Sequence, residues 1–170
     1  MSYRVLVTVG TDHHSFDRLM DWVDRWADQN PDCPVVVQHG SSRPPSRVEG
    51  RAFFSNEELL AQMEAADVVV THGGPATITE TRRRRRVPVC VPRDPARDEH
   101  VDDHQQRFAR FLDRQGLVRL VLSEEDFVAA LADPDALRVD SAASQDDTMP
   151  EGVRRVGEIV AALVIQHRAR

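Results

Sequence analysis

The sequence has few of the features that mark membrane-spanning, disulfide-stabilised or metal-binding proteins. Its two cysteines, Cys33 and Cys90, lie far apart and follow no spacing typical of zinc or redox sites. The longest late apolar run, residues 159–165, is too short to cross a bilayer. The first ten residues lack the charged start and cleavage site of a signal peptide. These absences predict a soluble, cytoplasmic protein.

Positive charge is also scarce relative to negative charge. Lysine is absent, so the 22 basic residues are all arginine, and 28 acidic residues give a formal net charge of -6. Affinity for bulk nucleic acid depends on a positive surface that displaces counterions, so this balance predicts no nucleic-acid partner. The exception is the arginine run 82–86. Its residues fan around a helix end, which favours a solvated end attracted to anionic lipid or to an acidic partner.

What the sequence does contain is an alternation of short apolar runs with helical patterns. A chain of 170 residues has one domain, whose core needs neither metal nor disulfide. The alternation over residues 1–132 predicts an α/β fold, with a Rossmann-like, mostly parallel sheet and helices on both faces. The predicted strands are 3–9, 35–38, 67–71, 87–91 and 117–122, and the predicted helices are 15–26, 57–65, 75–85, 101–115 and 124–131, the last capped by Ser123.

The rest of the chain has a different pattern. Residues 133–150 are rich in Asp, Ser, Ala and Pro, which indicates a surface connection. Residues 151–170 have an apolar stripe that predicts a C-terminal amphipathic helix. Such a stripe covers either the domain's own flank or a partner, so this helix is also a candidate for self-association.

Two loops that follow predicted strands have the composition of anion-binding sites. One contains Gly10 and Thr11, and the other contains His72, Gly73 and Gly74. Ligands of open α/β sheets bind beyond the carboxyl ends of the strands, where glycine amides and helix N-termini approach an anion. Both loops should open at one edge, which indicates a phosphate or diphosphate ligand. Glycines that only turn a strand into a helix give the same pattern.

Helix starts near these loops supply further polar groups. Ser15 is the predicted N-cap of the first helix. Glu80 lies about one and a half turns beyond the second loop, within reach of the hydroxyls of a ribose. From its helix position alone, a solvated surface glutamate is the favoured interpretation.

The segment 92–106 is more polar than folding requires. His104 and Gln105, at a predicted helix start, offer donors and acceptors to a sugar. His100 and His104 have the i, i+4 spacing of zinc ligands on one helix. No third ligand is fixed by spacing, so no metal is predicted.

Three segments carry a family resemblance: VLVTVGTDHHSFDRL, AADVVVTHGGPATITE and VPVCVPRDPARDEHVDDHQQRFARFL. In this order they resemble the donor-binding C-terminal half of GT-B glycosyltransferases, namely the C-terminal domain of glycosyltransferase family 28. That family includes the lipid-intermediate N-acetylglucosaminyltransferase of peptidoglycan synthesis. Within it, the chain is most similar to stand-alone donor-binding subunits of two-part transferases of dolichol-pathway and exopolysaccharide type. The resemblance implies one half of a GT-B fold.

The resemblance assigns roles to residues at the two loops and beyond. It implies that Glu80 binds the ribose, which reverses the interpretation from position alone. His104 and Gln105 match the pair near the donor sugar. The residues that it places at the donor diphosphate are Gly10, Thr11, His72, Gly73, Gly74 and Thr77.

Two further pairs match less closely. Phe53 and Phe54 occupy the region whose backbone meets uracil in this family. His13 and His14 resemble only the exopolysaccharide-type members, and we take them as the candidate catalytic residues. The arginine run departs from the family, in which many relatives have small or apolar residues there.

The implied reaction requires neither metal nor cofactor. An acceptor hydroxyl attacks the anomeric carbon of a UDP-sugar and expels a nucleoside diphosphate, whose charge helix N-termini and glycine amides stabilise. The chain holds only one Rossmann-like unit, so a membrane-associated acceptor-side subunit is expected, with the terminal helix crossing to it. The expected function is the donor-binding and catalytic subunit of a hexosyltransferase with a lipid-linked acceptor, peripheral at the inner membrane face. The alternative is a non-catalytic nucleotide-sugar-binding or regulatory module.

Overall fold

The computed structural model of the chain describes residues 3–139. Six parallel strands form one sheet in the order β3-β2-β1-β4-β5-β6, which confirms the predicted Rossmann-like α/β fold. The strands are β1 (Val5–Thr8), β2 (Val35–Gln38), β3 (Glu49–Arg51), β4 (Val68–Thr71), β5 (Val89–Cys90) and β6 (Arg119–Leu120), and the helices are α1 (Asp17–Gln29), α2 (Asn56–Ala65), α3 (Pro75–Arg83), α4 (His104–Arg114) and α5 (Glu124–Leu131).

The core lies on both faces of the sheet because the central strands are apolar along their whole length. Val5 and Val7 of β1 point to the side covered by α1 and α5, where Trp22 and Phe127 pack. Leu6, between them, points to the opposite face and packs with residues of α2. Alternate residues of a strand face opposite sides, so a continuous apolar run is what a sheet covered on both faces requires.

Besides shifts of a few residues at the ends of several elements, three local features differ from the sequence predictions. Strand β3 was not predicted, because its three residues are exposed and polar and it forms only by backbone pairing with β2. The predicted cap Ser15 is wrong: the N-cap position of α1 is Phe16, whose N–H donates to the Ser42 hydroxyl at 2.7 Å. Helix α4 begins at His104 rather than at Val101.

The predicted cap at the start of α5 is confirmed. The hydroxyl of Ser123 accepts the Asp126 N–H at 3.1 Å. Residues 140–170 lie outside the described part of the chain, which includes the whole predicted helix 151–170 and most of the connection 133–150. Within residues 133–139, the short turn Asp135–Leu137 docks on the sheet, where Leu137 is buried.

Within residues 3–139, no helix is long and apolar enough to cross a membrane. The strand order reverses between β1 and β4, which lie side by side in the sheet. The connections after these two strands therefore start next to each other, at the carboxyl edge where ligands of such sheets bind.

Candidate functional site

Two connections, the β1 loop (residues 10–15) and the β4 loop (residues 72–74), meet at this edge. They touch where Gly10 packs on the ring of His72. A Cβ atom built on Gly10 would lie 2.5 Å from the His72 ring carbon Cε1, and Gly10 has φ +74°. Only glycine fits this combination of backbone conformation and close approach. The predicted convergence of the two loops is therefore observed.

His72 is the titratable residue of the β4 loop, and its pKa is strongly shifted by its surroundings. Burial lowers the pKa of His72 to about 4, helped by the positive charge of Arg93 and opposed by a hydrogen bond with the Thr8 backbone. Its Nδ1 is buried without a hydrogen-bond partner. The ring also packs against Gly74, on which a Cβ atom would lie 2.7 Å away. At neutral pH His72 is thus an uncharged ring wedged between two glycines.

The start of α3 provides the amide groups next to the β4 loop. Its N-cap is Gly74, no side chain caps it, and Pro75 occupies the first turn. The N-terminal N–H groups of a helix without a capping side chain form a site for an anion. Thr77 lies in the same first turn, and Gly73, with φ +97°, holds the entering backbone in a left-handed conformation. This geometry fits a phosphate group.

The β1 loop is held by one buried arginine, Arg93, which sequence analysis missed. Arg93 is fully buried, and its guanidinium donates to the carbonyls of Val9, His14, Ser15 and Glu99 at 2.8–3.3 Å. The same guanidinium lies 5.0 Å from the ring centre of Phe16. Burial lowers the pKa of Arg93. The side chain clamps the backbone of the loop from below.

An ion pair between Arg18 and Glu99 ties the segment after β5 to α1. Glu99 is 4% exposed, and its carboxylate accepts two hydrogen bonds from Arg18 at 2.7 and 2.8 Å. It also accepts the Asp94 N–H at 2.8 Å. A bidentate, desolvated pair of this kind fixes geometry strongly. The connection between β5 and α4 is thereby held against the start of α1.

Asp12 orients the two histidines nearest to it. Its Oδ1 accepts the His14 N–H at 2.7 Å and lies 2.6 Å from His14 Nδ1, while its Oδ2 lies 3.7 Å from His100 Nε2. Burial acts to raise the pKa of Asp12, but hydrogen bonds from His14 and the charge of Arg93 outweigh it and lower the pKa. The side chain of His13 is 86% exposed. Asp12, another residue that sequence analysis missed, therefore fixes the ring of His14.

Possible metal ligands lie elsewhere than sequence spacing suggested. Because α4 begins at His104, His100 lies outside the helix and the considered i, i+4 pair on one helix does not form. Among the described residues, the one group whose ligand atoms lie within 4.8 Å of one another is Asp12, His13 and His14.

Glu80 faces the arginine run. Its carboxylate lies 2.6 Å from an Arg83 nitrogen and 2.9 Å from one of Arg84. Arg82 is buried, and the Arg84 side chain is only 18% exposed. The interpretation of the run as a solvated helix end is therefore wrong for these two residues, which have neighbours in the fold.

The remaining predicted residues lie around the edge of the two loops. His104 is 78% exposed, with Nδ1 2.7 Å from Asp102. The Gln105 side-chain oxygen accepts the Arg93 backbone N–H at 3.4 Å, which places Gln105 beside the buried arginine. Phe53, after β3, is 52% exposed.

Phe54 is linked to the β1 loop through a buried amide. Its N–H donates to the side chain of Gln38 at 3.1 Å, and the Gln38 amide donates to Thr8 at 3.2 Å and to the Gly10 carbonyl at 3.4 Å. The signal in the sequence was a polar residue at the end of the apolar run VVVQ, just as Arg93 follows VPVCVP. Polar residues that end buried strands are thus the positions that organise this edge.

A known domain family and several solved structures resemble this chain over most of its length. Residues 4–147 match the glycosyltransferase family 28 C-terminal domain. The glycotransferase of kitacinnamycin aligns with a TM-score of 0.61 and 22% identity, over 98% of this chain and 43% of that chain. The calicheamicin glycosyltransferase CalG4 aligns with a TM-score of 0.60 and 18% identity, over 95% of this chain and 42% of that chain. MurG of Acinetobacter baumannii aligns with a TM-score of 0.55 and 18% identity, over 95% of this chain and 50% of that chain.

These identities show likeness of fold alone, and the fold is one Rossmann-like half of the GT-B fold. The chain spans half or less of the length of these three structures. No curated protein sequence matches it significantly.

Proposed function

The chain belongs to the glycosyltransferase family 28 C-terminal domain family, and we propose that it is the donor-binding and catalytic subunit of a UDP-sugar-dependent hexosyltransferase. The acceptor in this proposal is lipid-linked. The observation that carries it is the meeting of the two loops at the strand-order reversal, beside a helix start without a capping side chain. Such a site binds a nucleoside diphosphate without metal or cofactor.

In this proposal the diphosphate lies against the β4 loop and the start of α3. His72, Gly73, Gly74 and Thr77 surround it from one side, and Gly10 and Thr11 from the other. His72 is uncharged at neutral pH, since its pKa is about 4. The positive charge that faces the diphosphate therefore comes from the helix dipole and backbone amides rather than from His72.

The nucleoside and the sugar take the flanks. The ribose hydroxyls bind Glu80, whose partner Arg83 is 64% exposed and therefore weakly held. On binding, the ribose hydroxyls replace Arg83 at Glu80 Oε1, while Glu80 Oε2 keeps its contact with Arg84. The uracil lies in the region of Phe53 and Phe54, and the hexose faces His104 and Gln105.

For the chemical step we propose His14 as the general base, with His13 as the second candidate. A bond forms between the acceptor oxygen and the anomeric carbon, the bond to the diphosphate oxygen breaks, and that electron pair leaves with UDP. The acceptor proton goes to His14 Nε2, because Nδ1 donates to Asp12. Asp12 is a positioning residue that holds this tautomer.

The acceptor site requires a second domain. A membrane-associated acceptor-side subunit supplies it in this proposal, and residues 151–170 dock that subunit or, in its absence, a second copy of the chain. The chain then works in the cytoplasm, at the inner face of the membrane. The second candidate function, a non-catalytic nucleotide-sugar-binding or regulatory module, would share the donor site but lack transfer activity.

Titration of UDP tests the donor site. The variant Glu80→Ala loses charge-assisted hydrogen bonds to the ribose. Its binding of UDP should be weaker by about 1.5 to 3 kcal/mol, which is a rise in Kd of roughly 10- to 100-fold. The matched control is Glu64→Ala, which removes the other carboxylate paired with Arg84 and should leave UDP affinity unchanged. Equal affinities for wild type and Glu80→Ala would refute the ribose assignment.

Transfer activity, reconstituted with an acceptor-side subunit, separates the enzyme from the binding module. His14→Gln should abolish transfer while UDP affinity persists, and Asp12→Asn should lower kcat and change its pH profile. Activity that survives His14→Gln would move the base to His13 or to the partner. A complex that binds UDP but transfers no sugar would favour the non-catalytic module.

A further inference from the structure

The outer face of α4 carries three exposed arginines. Arg107, Arg110 and Arg114 are spaced by three and four residues, which places them on one side of the helix. All three are exposed, and none of their side chains forms a hydrogen bond or ion pair with another residue of the described range 3–139. Their side chains, with His104 and Phe108, line a shallow groove of about 560 Å³.

Apolar side chains lie beside these arginines. Phe111 occupies the same side of the helix and is 44% exposed, and Val101, just before the helix, is 74% exposed. The inner side of α4 is fixed, since Ala109 and Leu112 are buried in the sheet packing. The helix therefore presents a basic and partly apolar face outward. We call Arg107, Arg110, Phe111 and Arg114 the α4 face.

We propose that the α4 face docks on a membrane surface that contains anionic phospholipids. Guanidinium groups match phosphate oxygens with two parallel donors, and their aliphatic stems can lie along apolar surface beside an inserted aromatic ring. Since the apolar side of α4 is buried in the fold, the attraction comes mainly from the three arginines, and Phe111 adds one apolar contact. Charge complementarity and the exposed phenylalanine together select an anionic lipid surface as the occupant.

Nucleic acid fits this face less well. Arg107 and Arg114 are seven residues apart, so the stripe spans only about 10 Å. It offers three phosphate contacts on a chain whose net charge is -6, fewer than the roughly 6 to 10 that give nucleic-acid binders their affinity. A nucleic-acid backbone also provides no apolar layer for Phe111.

Docking of this face would bring the edge of the donor site to the membrane. His104, beside the proposed sugar position, is the first residue of the same helix. A lipid-linked acceptor would then meet the site without leaving the bilayer. The inference itself does not depend on the proposed function, because the vesicle experiment uses neither nucleotide nor acceptor.

Co-sedimentation of the full chain with vesicles tests the inference. Vesicles of phosphatidylcholine mixed with phosphatidylglycerol should bind the chain, and pure phosphatidylcholine vesicles should not. The triple variant Arg107→Gln, Arg110→Gln, Arg114→Gln should bind about a hundredfold more weakly, which corresponds to about 1 kcal/mol for each arginine. Added salt should weaken wild-type binding, since it screens exposed charges.

The matched control removes the same charge elsewhere. Arg47, Arg51 and Arg97 are 55–63% exposed and each is paired with an acid. Their triple glutamine variant should bind anionic vesicles as wild type does. Phe111→Ser should weaken binding with no change in charge. Thermal unfolding identifies variants that fail to fold.

Two results would overturn the inference. One is equal binding of wild type and the α4-face variant to anionic vesicles. The other is wild-type binding that does not distinguish anionic from neutral vesicles. Tighter, salt-sensitive binding to a DNA duplex than to anionic vesicles, lost in the same variant, would assign the face to nucleic acid instead.

Discussion

The β1 loop and the β4 loop meet at the same edge of the sheet but are held in different ways. The β1 loop depends on polar side chains, chiefly Arg93 from the segment after β5 and Asp12 of the loop itself. The β4 loop depends on small residues and on an uncharged ring, with His72 packed between Gly10 and Gly74. One loop is held by polar contacts, whereas the other is held by close packing.

The two ways of holding the loops fit two different roles at one site, namely anion binding and the positioning of side chains. A loop of glycines and helix amides can approach a diphosphate without adding a mobile charge. A loop held from beneath by a buried cation can keep polar side chains, such as His14, at a fixed height above the sheet. The following predictions test whether the two loops fail by the different mechanisms that this comparison requires.

The largest effect is expected for Arg93, on which the β1 loop rests. Arg93→Met leaves four carbonyls without their charged donor and should lower the free energy of unfolding by about 3 to 5 kcal/mol. Urea unfolding measures the loss. Arg97→Met, on an exposed arginine of the same segment with one ion pair, should cost less than about 1 kcal/mol.

Arg93→Lys keeps the prediction testable when Arg93→Met does not fold. One ammonium group cannot reach all four carbonyls, so an intermediate loss is expected. Equal stability of Arg93→Met and Arg97→Met would mean that the buried guanidinium does not hold the loop.

The next effect concerns the packing between the loops. Gly10→Ala introduces a Cβ atom 2.5 Å from the His72 ring at φ +74°, and both the backbone strain and the clash should cost about 2 to 4 kcal/mol in total. Gly116 has φ +67° with nothing within 4 Å of the added atom. Gly116→Ala therefore measures the backbone cost alone, about 1 to 2 kcal/mol.

The difference between these two variants in urea unfolding isolates the contact between the loops. If both variants lose the same stability, the ring of His72 yields to the added methyl group and the packing is not tight.

Sequence patterns predicted this edge in outline but not its supports. Apolar runs fixed the central strands, and glycines after β1 and β4 marked the loops, because both signals are local. The position of Arg93 after an apolar run is a weak signal, because an exposed arginine gives the same pattern and three of its carbonyl partners are distant in sequence. Asp12 has no such signal, since aspartate is common in loops. The predicted cap at Ser15 failed in the same way, since the hydroxyl that accepts the N–H of the actual N-cap residue, Phe16, belongs to Ser42, distant in sequence.

A third prediction concerns acid stability and the β4 loop. The pKa of His72 is lowered to about 4 in the fold against about 6.5 in an unfolded chain, so the unfolded state binds a proton first as pH falls. The stability that neutral His72 contributes is complete above pH 6.5 and is lost as pH falls towards 4. The loss from this residue is at most about 3 kcal/mol.

Urea unfolding at a series of pH values measures this loss. His72→Gln should flatten the curve between pH 6.5 and 4, whereas His13→Gln, at an exposed position, should follow wild type. The β1 loop should respond in a lower range, because Asp12, with its lowered pKa, loses its contribution only as pH falls below the ordinary carboxyl range. An unchanged slope in His72→Gln would mean that His72 is not held neutral.

The smallest expected effect is that of a chelator, and it tests the division of roles most directly. If the β4 loop and the start of α3 hold the diphosphate by amides, EDTA should change the Kd for UDP by no more than about twofold. In residues 3–139, the group able to hold a metal is Asp12, His13 and His14, on the other loop. There Asp12 Oδ1 already lies 2.6 Å from His14 Nδ1, so a metal ion would have to displace that contact. Abolition of UDP binding by EDTA, matched by the same loss in Asp12→Asn, would instead make the β1 loop a metal site that binds the diphosphate. A loss with EDTA that Asp12→Asn does not reproduce would place a required metal outside this group, and would equally contradict diphosphate binding by amides alone.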